Sequence, residues 1–247
     1  MAYGRGEGPG IAAGLLAAFL IALGLAVSGV MISDGIVHAR TVDRRVTVKG
    51  LAEREVRANL AVWPMTVAAT GDELAAVQAE IDADVAALEA FLVGKGFDEA
   101  EISLGLLRVE DRVAMSWNAE IPPGGRYRIE QPVRVRSANV DLVAQASREL
   151  GEVVRQGVVL SGWDAPSFVF NRLNDIKPDM LQEATLNARE AAMQFADQSG
   201  ASLGGIREAN QGVFSILPRD EAPGEIESAQ IFKRVRVVST ITYQLTD

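Results

Sequence analysis

The side chains able to do chemistry are few and loosely spaced. Glu53 and Glu55 flank Arg54, and Asp220 adjoins Glu221. Paired carboxylates of this kind suit general acid–base work or a bound cation. Both sets fall in exposed-looking turns with no second group of ligands, so plain surface charge is the stronger reading. There is one histidine, His38, and no cysteine. His38 precedes the folded part, so neither a Ser-His-Asp triad nor a His-rich metal site can be built inside that part. Thiolate chemistry, disulfides and Cys-ligated zinc or iron–sulfur centres are excluded. Gly204-Gly205 lacks the GxGxxG spacing of a nucleotide loop. No catalytic residue, cofactor or metal is therefore expected.

Other residues have the types for binding. Arg126, Arg128, Arg134 and Arg136, with Arg234 and Arg236, alternate along two strand-like stretches. Such a face can bind anionic lipid or an acidic partner, but a solvated face paired with neighbouring acids is the simpler reading. Arg189, in an alanine-rich helical stretch, suits an ion pair or a subunit contact better than a bound anion. Met115, Trp117 and Ile121 lie in a Pro/Gly loop and fit an interfacial anchor, a subunit contact, or a tryptophan folded over the sheet edge. Phe232 is placed on the outer face of the last strand. Met115, Trp117, Phe232 and Arg189 are the candidate subunit contacts.

The formal net charge is −9. Before Ser33 the chain has one acid, Glu7, and one base, Arg5, so the remainder carries the whole excess. An acidic domain argues against nucleic acid as a partner, since phosphate binding needs clustered Lys and Arg. Residues 11–32, IAAGLLAAFLIALGLAVSGVMI, carry no charge. As a helix of ~33 Å this run matches the ~30 Å hydrocarbon core of a bilayer. It exceeds the usual signal-peptide apolar region of about 7–15 residues, which favours an uncleaved anchor. Arg40, Arg44, Arg45 and Lys49 follow it and only Arg5 precedes it; this count alone leaves the topology open.

The elements that must position these residues follow in order. Residues 33–43 read as a linker and 44–50 as a half-buried strand with Val46 and Val48 inward. An extended stretch over 53–69 is covered on both faces or bulged near Pro64. Thr70 and Glu73 have capping-box spacing ahead of a helix with Leu74, Val77, Ile81, Val85, Leu88, Phe91 and Leu92 on one stripe, stopped at Gly94-Lys95-Gly96. Residues 102–113 form a strand, 113–125 a loop and 126–137 a strongly alternating strand. A helix over 139–156 turns Val140, Val143, Leu150 and Val154 inward. Short strands at 157–160 and 167–173 lead to the longest helix, 177–199, with Asp175 as N-cap and Pro178 in its first turn. Its inward face is Leu181, Ala184, Ala188, Ala191, Ala192, Phe195 and Ala196. Strands at 206–217 and 231–245 enclose an acidic Pro/Gly loop, and the last strand reads as an exposed edge. The fold class is α+β: an N-terminal transmembrane helix followed by antiparallel sheets with about three helices packed on them.

With these elements in place, the chain resembles the SIMPL domain family, the YggE-like proteins of bacterial envelopes. The matching residues are Val46-Thr47-Val48-Lys49-Gly50, Gly94-Lys95-Gly96-Phe97, Glu101-Ile102, Tyr127-Arg128, and above all 184–196, ATLNAREAAMQFA, followed by Ser199-Gly200 and Leu203-Gly204-Gly205-Ile206. The stretch Asn59-Leu60-Ala61-Val62-Trp63-Pro64 departs from the Pro-Asp pair frequent in the family, which places the chain in a divergent branch. The resemblance implies an envelope location, an α+β fold, self-assembly, a link to envelope or oxidative stress and no established catalytic residue.

The expected organisation is a tail at 1–10, a transmembrane helix at 11–32, a linker at 33–43 and a SIMPL-like domain at 44–247. The expected function is that of a non-enzymatic, single-pass inner-membrane protein with a periplasmic domain that forms a homo-oligomeric ring or channel-like scaffold. Its partners would be its own copies and the bilayer. The alternative is a periplasmic binding module for a ligand or another envelope protein.

Overall fold

A computed structural model describes residues 10–41, 44–115, 123–161 and 165–246, with side-chain surroundings for 14–33, 44–114, 123–161 and 165–246. The uncharged N-terminal run forms helix α1 (Gly10–Thr41), which continues through 33–41, the stretch expected as linker. Within it, Gly14–Ser33 is 20 residues long with a mean hydropathy of 2.6, and none of it is buried. A helix of that length spans ~30 Å, enough to cross a bilayer.

The chain divides into two compact units, one of residues 1–50, 184–212 and 239–247, the other of 51–183 and 213–238. In the larger, β2 (Leu60–Gly71) and β5 (Tyr127–Ser137) pair antiparallel along their full length, from Ala61↔Ser137 to Gly71↔Tyr127. Strands β3 (Ile102–Leu104) and β4 (Arg108–Asp111) pair with β5, and β6 (Ser167–Val169) pairs with β2. The sheet order is β3-β5-β2-β6, with β4 also on β5. The single strand expected over 102–113 is thus two, split at 105–107, and a short helix α3 (Arg112–Met115) follows.

Period two places Ala61, Trp63, Met65, Val67 and Ala69 of β2 on one buried face, with Ile129, Val133 and Val135 of β5. Helix α2 (Leu74–Lys95) lays Val77, Ile81, Val85, Leu88 and Leu92 into the same core. Each such side chain contributes roughly 1.5–3 kcal/mol relative to exposure. The helix starts later than the capping-box spacing implies. Glu73 is its N-cap, Thr70 and Gly71 finish β2, and Leu74 stays exposed. Gly96, at φ 103, caps the C-terminus as expected, its N–H reaching the Val93 carbonyl. The helix expected over 139–156 is α4 (Val140–Glu149), capped by Asn139, and α5 (Gly151–Arg155). At its end Val153 is buried and Val154 exposed, the reverse of the expected face.

No bulge forms at Pro64; its register with Arg134 is unbroken. The other edge of β2 explains its tolerance. There Thr66 accepts from Ser161 and Ala68 donates to Val159, while β6 covers only Leu60 to Val62. Pro64 shares the parity of Thr66 and Ala68, so its missing N–H points to the stretch where described pairing stops.

Strand β8 (Ser215–Pro218) pairs with the first part of β9 (Phe232–Thr246) in this unit. In the smaller unit β7 (Ser202–Gln211) pairs with the second part, with register shifts around Leu203 to Glu208 that account for Gly204-Gly205. Strand β1 (Arg45–Arg57) pairs on the opposite side of β9. The last strand is therefore interior to its sheet, and the expectation of an exposed edge there is wrong.

Helix α6 (Leu173–Ser199) begins before Asp175 and Pro178, both of which lie inside its first turns. Met180, Ala184, Ala188, Ala192 and Ala196 are all buried. In the smaller unit, Ala188 and Ala192 pack with Val48, Ile241 and Tyr243. The small-residue face is real, but Phe195 does not belong to it and is 59% exposed. Each step of four residues overshoots a full turn by about 40°. A stripe that follows i, i+4 without a compensating i+3 rotates away from residue 195. The alanines matter because β1 passes close by. A Cβ on Gly50 would lie 1.8 Å from the Ala184 carbonyl oxygen and 2.6 Å from the Ala188 nitrogen.

Candidate functional site

The carboxylates singled out by type are neutralised one by one. On β1, Glu53 pairs with Arg236 at 3.6 Å and Glu55 with Arg219 at 3.9 Å. Asp220 pairs with Arg219 at 2.8 Å and Glu221 with Arg234 at 3.3 Å. Part of the arginine faces is paired in the same way. Arg126 pairs with Asp111 at 3.2 Å and Arg128 with Glu130 at 2.6 Å. The solvated, acid-paired reading holds for Arg126, Arg128, Arg234 and Arg236, whereas Arg134 and Arg136 are exposed with no carboxylate partner among the described residues. The Arg126 hydrogen bond holds the Asp111 carboxyl below its ordinary range, and Arg219 does the same to Asp220. Burial pushes Glu130 upward, but hydrogen bonds from Arg128 and Ser161 and the charge of Arg108 outweigh it and leave the carboxyl lowered. Lys95 binds Glu149 at 2.5 Å and Glu152 at 2.8 Å; these bonds raise Lys95 and, for Glu149, lower the acid.

The candidate contact residues go to different places. Trp117 and Ile121 lie outside the described residues, as does the side chain of Met115. Phe232 is partly exposed, with the Arg219 guanidinium 5.3 Å from its ring centre. It lines a cavity of about 560 Å³ in the larger unit. Arg189 is exposed on α6 and lines a cavity of about 580 Å³ in the smaller unit, with Leu186, Met193 and Ile206. Each thus lines a cavity of its own unit.

Three features escaped the sequence reading. The first is an apolar sheet edge. Leu104, Leu106, Leu107 and Val109 are exposed along β3–β4, Leu106 to 92%, and among the described strands only β5 pairs there. The run Leu104-Gly105-Leu106-Leu107 was the available signal, because a glycine between leucines breaks the alternation that would bury them. Gln131 holds the break from behind, donating to the Gly105 and Pro132 carbonyls. The second is Lys233, fully buried, whose ammonium binds the Glu227 carboxylate at 2.5 Å and carbonyl at 2.6 Å. Inside a strand of alternating arginines and valines nothing in the pattern distinguishes it.

The third feature is a groove of about 770 Å³ where described pairing beside Pro64 stops. Trp63, Met65, Leu150, Val154 and Val159 form its walls. Ser147, Arg148, Ala165 and Pro166 line both this groove and the cavity that Phe232 lines, so the two share a wall. Among the described residues no group of three or more His, Cys, Asp or Glu is arranged to hold a metal ion.

The family model for SIMPL, described as a protein of unknown function, matches residues 46–243. No curated protein matches significantly. Among solved structures, a hydrolase from Listeria innocua aligns at 8% identity over 75% of this chain and 90% of its own, with a TM-score of 0.19. A likeness that slight carries no argument about fold or activity.

Proposed function

The chain belongs to the SIMPL family, and on that footing we propose that it is a membrane-anchored, non-enzymatic envelope protein whose copies assemble into a homo-oligomer. Helix α1 anchors each copy in the inner membrane, and the folded part lies in the periplasm. The observation that supports assembly is the β3–β4 edge, where Leu104, Leu106, Leu107 and Val109 are exposed and, among the described strands, only β5 pairs. An apolar edge strand is a template for pairing with another chain, and monomeric proteins blunt such edges with charge, proline or a covering element. A heterologous contact repeated around an axis parallel to the anchors would close into a ring and keep every α1 in one bilayer. The role is that of a scaffold, and the neutralised carboxylates fit it because they are held in ion pairs.

Light scattering on the full chain in mild detergent tests this reading. The wild-type chain is expected as a multimer, and Leu106→Asp as a smaller species with unchanged circular dichroism. A monodisperse wild-type monomer at tens of micromolar would overturn it.

A further inference from the structure

We propose that the groove beside α6 in the smaller unit holds an extended peptide segment of a partner protein, one with an acidic and a basic side chain four positions apart and an apolar side chain midway between them. The groove has a cause in the sequence. Ala188 and Ala192 seat α6 on Val48, Ile241 and Tyr243. The neighbouring stripe, Leu186, Arg189, Met193 and Asp197, is spaced by three, four and four residues and so shares one side of the helix. Across the groove β7 presents Gly204 and Gly205, which have no side chain to fill the space. A Cβ on Gly205 would meet nothing within 4 Å. The volume left is about 580 Å³, inside the range of about 300–1,000 Å³ usual for ligand sites. All the lining residues belong to the smaller unit.

The lining specifies the occupant. Leu186, Met193 and Ile206 are exposed along it and ask for an apolar side chain. Arg189 and Asp197 are exposed too, and neither has an ion pair among the described residues. Their separation along the helix sets their Cα atoms about 12 Å apart. A fatty acid or a cationic amphiphile would answer one of these charges and leave the other.

An extended peptide answers both. Residues i and i+4 of a strand are about 13 Å apart and point the same way as residue i+2. The sheet favours an extended occupant as well, since among the described strands β7 pairs only with β9. Register shifts between Leu203 and Glu208 interrupt the regular ladder there, so side chains rather than continuous main-chain pairing carry the selectivity.

The test uses the full chain in nanodiscs of zwitterionic lipid, titrated calorimetrically with end-blocked peptides built around Glu-Ser-Leu-Ser-Lys and its reverse, Lys-Ser-Leu-Ser-Glu. One of the two orders is expected to bind. Replacing its central leucine by serine should weaken it at least about ten-fold. Arg189→Glu should weaken it about ten-fold and bring in binding of Lys-Ser-Leu-Ser-Lys, which the wild-type chain should refuse. Gly205→Leu, at a position with room for a side chain, should abolish binding, with Met193→Trp as a second obstruction should the first variant misfold. No heat from either order at millimolar peptide would overturn the proposal. So would equal affinity of the wild-type chain for the all-basic peptide, or binding unchanged in the obstructed variants. Binding that appears only once Leu106→Asp has dispersed the copies would give the groove to a second copy and overturn it too.

Discussion

Gly50→Ala should loosen the smaller unit more than any other single methyl added to a glycine of the folded part. The added Cβ would sit 1.8 Å from the Ala184 oxygen, 2.6 Å from the Ala188 nitrogen and 2.8 Å from the Ala188 Cβ. Two of these are backbone atoms of α6, so no side chain can rotate away. To regain an ordinary contact of about 3.4 Å, helix and strand must part by more than an ångström. Separation on that scale uncovers Val48, Ala188, Ala192, Ile241 and Tyr243. Overpacking costs about 1–3 kcal/mol where side chains can adjust; a backbone clash belongs at or above about 3 kcal/mol. For a chain of this length that is a fall of roughly 6–12 °C in Tm.

Gly94→Ala is the control. A Cβ there meets nothing within 4 Å, and the residue lies in α2, so the change should be neutral or stabilise by up to about 1 kcal/mol. Thermal unfolding of the full chain in detergent measures both, and hydrogen exchange should show faster exchange confined to β1, β9 and the second half of α6. Equal midpoints for the two variants would refute the close approach of β1 to α6.

Phe195→Ala should change stability by less than about 0.5 kcal/mol, as surface substitutions do, whereas Ala192→Leu should cost about 1–3 kcal/mol; urea titration separates them. Glu227→Gln strands the fully buried Lys233 ammonium and should cost about 3 kcal/mol, while Lys233→Met should cost less because Glu227 reaches water. Asp111, Glu130, Glu149 and Asp220 are all held below their ordinary values. Their stabilisation is present above the unfolded carboxyl range near pH about 4 and is lost as pH falls through the folded values. Glu130→Gln should therefore flatten the acid limb of a stability–pH curve. Protease added to spheroplasts should digest the folded part, and protection until lysis would reverse the topology.

What was legible in the sequence was whatever repeats with a period. Alternation in β5 and the i, i+3, i+4 stripe of α2 fixed both elements and their buried faces. Gly96 marked a helix end because a left-handed turn has few residue solutions, whereas the side-chain caps expected at Thr70 and Asp175 did not form. Where burial depends on which element lies opposite, local pattern failed. Phe195 looked inward because a helical wheel assumes a straight stripe, and the α6 stripe precesses. The final strand looked like an edge because nothing in 231–245 records that β1 and β7 flank it. Pro64 suggested a bulge, yet its register with Arg134 of β5 runs through unbroken. Lys233 is buried through a partner six residues back in a turn, invisible to any count of alternation. The groove with Trp63 and Arg148 is assembled from segments some 85 positions apart, and neither segment carries a motif of its own.

The chain contains no cysteine, so single cysteines placed in turn at 104, 106, 107 and 109 report contacts between copies in the intact membrane. Oxidation followed by a non-reducing gel should give a species of twice the monomer mass for at least one of these positions and none for Gly94→Cys. Monomer alone at every edge position, under conditions that oxidise a control thiol, would contradict assembly through the β3–β4 edge.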